Sequence, residues 1–189
     1  MATQNIAVYC GASSGNKIIY TEAAKALGTW IAGRNARLIY GGAQVGLMGT
    51  VADTVLAHDG QVTGVMPGFM SQQELIHPGL TEMIKVDTMS ARKAKMIELA
   101  DVFIALPGGP GTLEEMSEVI SWARIGQQNG PCIFYNVAGY YDLLQQFLAH
   151  MVSEGFLTQV DFEKYLFTDS FSVMASFIKD YQPPKIREY

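Results

Sequence analysis

The chain alternates between short runs of apolar residues and longer segments in which apolar residues recur every three or four positions. The short runs predict buried strands, and the longer segments predict helices. We predict six strands, at Ile6–Cys10, Leu38–Tyr40, Val62–Val65, Ile84–Val86, Val102–Leu106 and Cys132–Tyr135. We predict six helices, near Tyr20–Ala32, Gly46–Ala57, Ser90–Ala100, Thr112–Ile125, Tyr141–Glu154 and Phe171–Tyr181. This alternation is typical of an α/β protein with a parallel sheet and helices on both faces.

The loops that follow the predicted strands are rich in glycine. Right-handed crossovers place every strand-to-helix loop at one edge of a parallel sheet, where ligands of such folds bind. The loops Cys10–Gly15, Gly41–Gly49 and Pro107–Gly111 should therefore share one edge with Arg92. The stretch Pro67–Leu80 is the longest segment without a predicted element.

The loop Pro107–Gly111 is the most informative of these segments. It joins the buried run Val102–Leu106 to a helix for which Thr112 is a suitable N-cap. Glycines beside the free amides of a helix start form an anion site. Close packing would explain one such turn, but the second turn at Gly41–Gly49 favours a ligand that carries phosphate. The G-x-G-x-x-G and G-x-x-x-x-G-K-[ST] motifs are absent, which argues against an NAD oxidoreductase.

Three charged residues are predicted on the apolar faces of two helices. Glu115 falls between Val119 and Trp122 on its helix, and Arg92 and Lys93 fall on the apolar side of a helix capped by Ser90. Cations in a first turn oppose the helix dipole, so these two suggest a nearby anion.

Two other interpretations of these charges stay open. Thr112 and Glu115 have the spacing of a capping box. Arg92 and Lys93 can be a solvated pair, or Arg92 can pair with Glu115. Burial of that pair would still mark a functional site.

Composition limits the class of protein. The 189 residues carry a net charge of −5 and are 49% apolar, which predicts one compact domain without a general nucleic-acid surface. Cys10 and Cys132 are predicted to be buried thiols, and the three histidines show no metal-ligand spacing. No apolar run reaches membrane-spanning length, and a strand is predicted almost at the N-terminus. We expect a cytoplasmic protein that binds no metal, membrane or nucleic acid.

Aromatic and methionine residues are less informative. Tyr140, Tyr141, Phe147 and Phe156 are predicted in the core rather than in a base-stacking box. Methionines can form an adaptable apolar pocket, although core filling is expected for most of them; these are Met48, Met66, Met70, Met89 and Met96.

The segment Pro107-Gly-Gly-Pro-Gly-Thr-Leu-Glu-Glu115 resembles the P-G-G-x-G-T-x-x-E signature of the Lonely Guy (LOG) phosphoribohydrolases, a family long described as lysine decarboxylases. The resemblance covers almost the whole chain. Its other motifs are Cys10-Gly-Ala-Ser-Ser14, Tyr40-Gly-Gly-Ala-Gln-Val-Gly-Leu-Met-Gly49, the segment Met89–Met96, Asn136-Val-Ala-Gly-Tyr-Tyr141 and Glu154-Gly-Phe156. It implies a Rossmann-like fold with residues 1–182 as one catalytic domain, and 183–189 are expected to form a tail.

The resemblance also implies an activity. Family members hydrolyse cytokinin riboside 5′-monophosphates, and some of them AMP, to free base and ribose 5-phosphate. The resemblance assigns catalysis to Arg92 and Glu115 and implies an activity without a cofactor. It also implies a homodimer, and the apolar residues of the helix Thr112–Ile125 are candidates for the subunit interface. The other predicted substrate-binding residues are Ser13, Gly41, Gly42, Gly46, Glu74, Met89, Lys93, Gly108, Gly109, Pro110, Gly111 and Thr112.

Departures from the family pattern leave the substrate open. Ser90 stands where histidine is frequent, Ala43 replaces a common glycine, and Pro110 occupies the variable position of the signature. The alternative function is a non-catalytic nucleotide or molybdenum-cofactor binding protein of the same fold class. A decarboxylase would need a Schiff-base lysine, and no lysine has a recognisable context for one.

Overall fold

A computed structural model describes residues 4–71 and 76–186 of the chain. The strands in these ranges are β1 (Asn5–Tyr9), β2 (Arg37–Tyr40), β3 (Gln61–Pro67), β4 (Glu82–Val86), β5 (Val102–Ala105), β6 (Cys132–Tyr135) and β7 (Tyr165–Thr168). The α-helices are α1 (Ile18–Gly33), α2 (Gly46–Ala57), α3 (Gly68–Ser71), α4 (Met89–Leu99), α5 (Pro110–Arg124), α6 (Asp142–Ser153), α7 (Gln159–Phe162) and α8 (Phe171–Asp180). A short 3-10 turn, Val137–Gly139, precedes α6.

The described strands form one parallel sheet in the order β4-β3-β2-β1-β5-β6-β7. The central strand β1 pairs with β2 on one side and with β5 on the other; Ile6 lies between Leu38 and Val102. The strand order reverses direction at β1, so the carboxyl ends of β1 and β5 border a crevice. This topology confirms the predicted parallel α/β fold and the shared edge of the glycine loops.

The alternation of side chains along the strands divides the core into two layers. In β1, Ile6 and Val8 face a layer covered by α1, α2 and α8. Ala7 and Tyr9 face the opposite layer, which is covered by α4, α5 and α6. The two helices that carry Arg92 and Glu115 therefore lie side by side on the same face of the sheet.

The predicted elements are confirmed with small shifts at their ends, but β7, α3, α7 and the 3-10 turn were not predicted. The strand β7 is a four-residue edge strand with only Tyr165 buried, so its hydrophobic pattern is weak. The helices α3 and α7 are single turns of four residues. Such short elements depend on their neighbours rather than on a periodic pattern. The helix α3 lies inside the segment Pro67–Leu80, for which no element had been predicted.

None of the helices within residues 4–71 and 76–186 combines the length and the apolar character needed to span a membrane.

Candidate active site

Arg92 and Glu115 form a buried ion pair between α4 and α5. Nη1 of Arg92 lies 2.9 Å from Oε1 of Glu115, and the two side chains are only 10% and 11% exposed. Arg92 comes from the first turn of α4 and Glu115 from the second turn of α5. The prediction that both charges lie on the inner faces of their helices is confirmed. By contrast, the neighbouring Glu114 side chain is 57% exposed.

The Arg92 side chain is fixed from two further directions. Its Nε donates a hydrogen bond of 3.0 Å to the carbonyl oxygen of Val65 in β3. Gly41, directly after β2, lies so close that a Cβ there would be 2.1 Å from Nη2 of Arg92. The guanidinium thus passes over a bare stretch of backbone, which only glycine allows.

The N-cap of helix α4 lies two residues before the predicted one. Thr88 is the N-cap, and its Oγ1 accepts a hydrogen bond of 3.0 Å from the amide of Ala91. The prediction of Ser90 as the cap was wrong, because both residues are good caps and the end of β4 decides between them.

Helix α5 also begins earlier than predicted. Gly109 is the N-cap without a side-chain hydrogen bond, and Pro110 is the first helical residue, a position where its missing N–H costs nothing. The predictions of Thr112 as N-cap and of a Thr112–Glu115 capping box were therefore wrong. Oγ1 of Thr112 instead packs against Gly108, where a Cβ would approach it to 2.1 Å.

The first turn of α5 presents an anion-binding surface. The cap carries no side chain, and the amides of Gly111 and Thr112 lie in the first turn, where helical amides have no partner within the helix. The helix dipole adds a partial positive charge at the same place. Gly109 and Gly111 have open space where a Cβ would be, so a ligand can approach the backbone closely.

The ion pair faces a cavity of about 310 Å³, here called the charged cavity. Its lining includes the predicted residues Met89, Gly109, Gly111 and Thr112. The remaining lining residues are Cys10, Gly11, Ala12, Met48, Met70, Arg92, Glu114 and Glu115. Three methionines thus oppose the charged groups, whereas Met66 and Met96 are fully buried in the core.

A second cavity of about 430 Å³, the tyrosine cavity, lies beside the first one and shares Gly11, Ala12 and Gly109 with it. It contains the predicted residues Ser13 and Gly108. The other lining residues are Ser14, Gly15, Tyr20, Leu47, Pro107 and Tyr140. The two cavities therefore open on either side of the same glycine-rich backbone at the carboxyl ends of β1 and β5.

Tyr140 contradicts the sequence prediction. It was placed in the core, but it is 41% exposed and its hydroxyl donates a hydrogen bond of 2.5 Å to the carbonyl of Gly108. Its ring meets Tyr20 edge-to-face at 5.7 Å. Phe147 and Phe156 are also exposed, and only Tyr141 of the four aromatic residues is buried. Helical spacing alone does not reveal which side of a helix the sheet covers.

Burial controls the ionisation of the groups at this site. Burial raises the pKa of Glu115 above its ordinary value of 4.5, and the positive charge of Arg92 partly opposes this increase. Burial likewise raises the pKa of the Cys10 thiol far above its ordinary value. Cys10 and Cys132 are both buried free thiols, as predicted. Glu115 therefore ionises at a higher pH than an ordinary glutamate.

Several predicted binding residues lie elsewhere. Gly41, Gly42 and Gly46 line neither cavity. A Cβ on Gly42 would come within 3.0 Å of Met83, and one on Gly46 within 2.3 Å of the Ala12 backbone. Both glycines also have positive φ angles, of 82° and 59°. These glycines permit close packing around the site.

Pro110, Lys93 and Glu74 were also predicted to bind substrate. Pro110 is exposed and lines neither cavity. Lys93 also lies outside both linings and forms ion pairs with α5. Glu74 lies outside the described residues.

Tyr20 and Cys10 belong to the cavity walls but were not predicted as site residues. Cys10 directly follows β1, and Tyr20 lies at the start of α1, which follows the same strand. Their position after the central strand was a usable signal, since the carboxyl ends of parallel strands form the ligand edge.

Comparison with known proteins identifies the family. The family model described as "Possible lysine decarboxylase" matches residues 48–176. A cytokinin riboside 5′-monophosphate phosphoribohydrolase of Rhodococcoides fascians is 46% identical over 156 residues, which is 82% of this chain and 79% of that protein. An Arabidopsis thaliana enzyme of the same name is 40% identical over 180 residues, covering 95% and 84% of the two chains. The chain therefore belongs to the Lonely Guy family.

A solved structure of low sequence identity shares the fold. The molybdenum cofactor binding protein of Rippkaea orientalis is 22% identical, with a TM-score of 0.69 and coverage of 95% of this chain and 97% of that one. Among the described residues, no lysine lines either cavity.

Proposed function

We propose that this protein is a phosphoribohydrolase that cleaves the N-glycosidic bond of cytokinin riboside 5′-monophosphates and related adenosine 5′-monophosphates. The products are the free base and ribose 5-phosphate. Membership of the family and the names of the relatives support this reaction. The observation that carries the proposal is the buried Arg92–Glu115 ion pair at the wall of the charged cavity, beside the first amides of α5.

The reaction requires a carboxylate near the sugar. As the bond breaks, positive charge develops on the ribose, as in glycoside hydrolysis. The Glu115 carboxylate stabilises this charge. The oxygen of a water molecule forms the new bond to C1′, while the C1′–N bond breaks and its electron pair leaves with the base. Glu115 accepts a proton from the water, and the leaving base takes up a proton from solvent.

Arg92 prepares Glu115 for this role. Arg92 donates a hydrogen bond to Oε1 of Glu115 and another to the carbonyl oxygen of Val65, so the carboxylate is held in one orientation. We assign the second carboxylate oxygen, Oε2, to the attacking water. The positive charge of Arg92 also opposes the effect of burial on the pKa of Glu115. The acid therefore remains able to ionise inside a site that excludes much of the solvent.

The 5′-phosphate is assigned to the first turn of α5. Free amides and the helix dipole favour a dianion there, and the open backbone at Gly109 and Gly111 allows it to approach. These two glycines border the charged cavity. A nucleotide bound in this way has its ribose near Glu115.

The test is hydrolysis by the wild type and by the Glu115→Gln variant. Purified protein is incubated with AMP and with isopentenyl-AMP, and the release of base and of ribose 5-phosphate is measured. We expect the amide to remove at least about 99% of turnover, since it can neither accept the proton nor stabilise the cationic sugar. Nucleotide binding, measured by calorimetry, should remain within a few-fold of the wild type.

The matched control is Glu98→Gln, which changes a 66% exposed carboxylate of α4 away from both cavities and should leave turnover unchanged. Near-full hydrolysis by Glu115→Gln would contradict the role of Glu115. A wild type that binds nucleotides tightly but releases neither product would contradict the proposed reaction.

A further inference from the structure

Lys93, the residue after Arg92, forms a second set of ion pairs between α4 and α5. Its ammonium group is hydrogen-bonded to Glu114 and lies 2.6 Å from Oε2 of Glu118. The Lys93 side chain is only 15% exposed, although Glu114 and Glu118 are 57% and 24% exposed. We call Lys93, Glu114 and Glu118 the lysine bridge.

The lysine bridge lies directly beside the Arg92–Glu115 pair. Lys93 and Arg92 are consecutive in α4, and Glu114 and Glu115 are consecutive in α5. Glu114 and Glu118 are four residues apart, so without a cation their like charges would repel each other along one side of the helix. Lys93 forms ion pairs with both carboxylates, which reduces their mutual repulsion and fixes the position of α5 relative to α4.

We propose that Lys93 is a positioning residue that sets both the geometry and the charge state of Glu115 rather than a ligand of the substrate. This inference rests on the proposed function. Two observations support it: the ammonium group is occupied by two carboxylates of α5, and Lys93 is absent from the described walls of both cavities.

Several charged and titratable groups surround Glu115. The charged and titratable groups that face it from the described residues are Arg92 and Lys93 of α4, Glu114 and Glu118 of α5, Tyr9 of β1 and Cys10 directly after β1. Burial raises the pKa of the Tyr9 phenol and of the Cys10 thiol, so both stay neutral at ordinary pH.

Two of these groups act on Glu115 in opposite directions. After burial and Arg92, the negative charge of Glu114 raises the pKa of Glu115, whereas the positive charge of Lys93 lowers it. Glu114 raises the pKa of Lys93 through their hydrogen bond, so the lysine keeps its charge. Removal of the charge of Lys93 or of Glu114 should therefore change the protonation of Glu115 with a predictable sign.

The experiment compares the pH dependence of kcat/KM for AMP hydrolysis in four variants and the wild type. Lys93→Met should move the acid limb to higher pH and lower the plateau kcat about tenfold or more, since a small displacement of a catalytic group is costly. Glu114→Gln should move the same limb to lower pH. Lys93→Arg keeps the charge and should restore most of the wild-type profile.

Lys95→Met is the matched control. Lys95 is in the same helix, but it pairs with Glu98 three residues later, so its removal should leave the profile unchanged. Thermal melts show whether each variant is folded. If Lys93→Met does not fold, the proposal is still tested by the other two variants. Glu114→Gln should move the acid limb to lower pH, and Lys93→Arg should keep most of the wild-type profile.

Two results would overturn the inference. One is a Lys93→Met variant whose acid limb is unchanged while KM rises tenfold or more, which would make Lys93 a substrate ligand. The other is a Glu114→Gln variant without a shift of the limb. Failure of the proposed function is distinguishable from both, because in that case the wild type itself releases no base.

Discussion

At Gly41 the side chain has to be a hydrogen atom, because the guanidinium of Arg92 occupies the space of a Cβ. A Cβ at this position would lie 2.1 Å from Nη2 of Arg92, which is far below any van der Waals contact distance. Gly41 was predicted to bind substrate, and that stays a prediction; the structure shows that it makes room for the arginine that holds Glu115.

The Gly41→Ala variant tests this role. The methyl group should displace the guanidinium, so that the ion pair with Glu115 is weakened and kcat falls about 100-fold, as expected for a displacement of about 1 Å at a reacting centre. The measurement is steady-state hydrolysis of AMP, with circular dichroism to confirm folding. In Gly33→Ala, the matched control, the new methyl group meets open space at the end of α1. A Gly41→Ala enzyme as active as this control would refute the steric requirement.

The protonation of Glu115 should appear in the pH profile of the wild type. Burial raises its pKa above 4.5, and the mechanism requires the ionised form. Activity should therefore be complete above the raised pKa and fall as the pH decreases through it, giving an acid limb at higher pH than an ordinary glutamate would. The measurement is kcat/KM from about pH 3 to about pH 8, which includes the ordinary carboxyl value. An acid limb at or below pH 4.5 would disagree with the assignment.

At the scale of elements, hydrogen bonds attach the segment before β4 to α2. The buried His77 donates through Nε2 to Asp53 at 2.8 Å, and its Nδ1 accepts a hydrogen bond of 3.1 Å from the amide of Gly79. The backbone amide of His77 donates to the carbonyl of Gly42 at 3.0 Å. These bonds join the segment that begins at residue 76 to α2 and to the loop after β2.

Replacement of His77 tests this anchoring. His77→Ala removes two side-chain hydrogen bonds of a buried residue, which should lower the free energy of unfolding by about 1–3 kcal/mol. Because the segment is bonded to the loop that contains Gly41, which accommodates Arg92, hydrolysis of AMP should also become slower. Urea denaturation and steady-state kinetics measure the two effects. His150→Ala, at a residue 63% exposed, is the control. Equal stability of the two variants would show that the anchoring is unimportant.

At the scale of the whole molecule, the expected homodimer remains a prediction. Most apolar residues of α5 are used in the chain's own core, where Met116 and Val119 are fully buried. The larger exposed apolar surface is on α6, where Leu143 and Phe147 are 78% and 55% exposed. They are one helical turn apart and lie on the same side. Exposed apolar surface of this kind is typical of an interface between protein chains.

Substitution of both residues tests the dimer. We expect sedimentation equilibrium to show a dimer for the wild type and a monomer for the double variant Leu143→Asp with Phe147→Asp, since two desolvated carboxylates are incompatible with an apolar interface. Val173→Asp on α8, at a residue 45% exposed on the other face of the sheet, is the control. A monomeric wild type would contradict the prediction, and a dimeric double variant would move the interface to another surface.

The sequence by itself determined the parallel α/β architecture, the ligand edge and the buried positions of Arg92 and Glu115, because these follow from local periodicity and from the handedness of strand crossovers. Tertiary structure decided what local pattern cannot express. It selected Gly109 and Thr88 as caps, brought Lys93 to Glu114 and Glu118, and turned Tyr140 toward a cavity. Each of these outcomes depends on which residues of distant elements come into contact, and that is fixed only when the helices pack on the sheet.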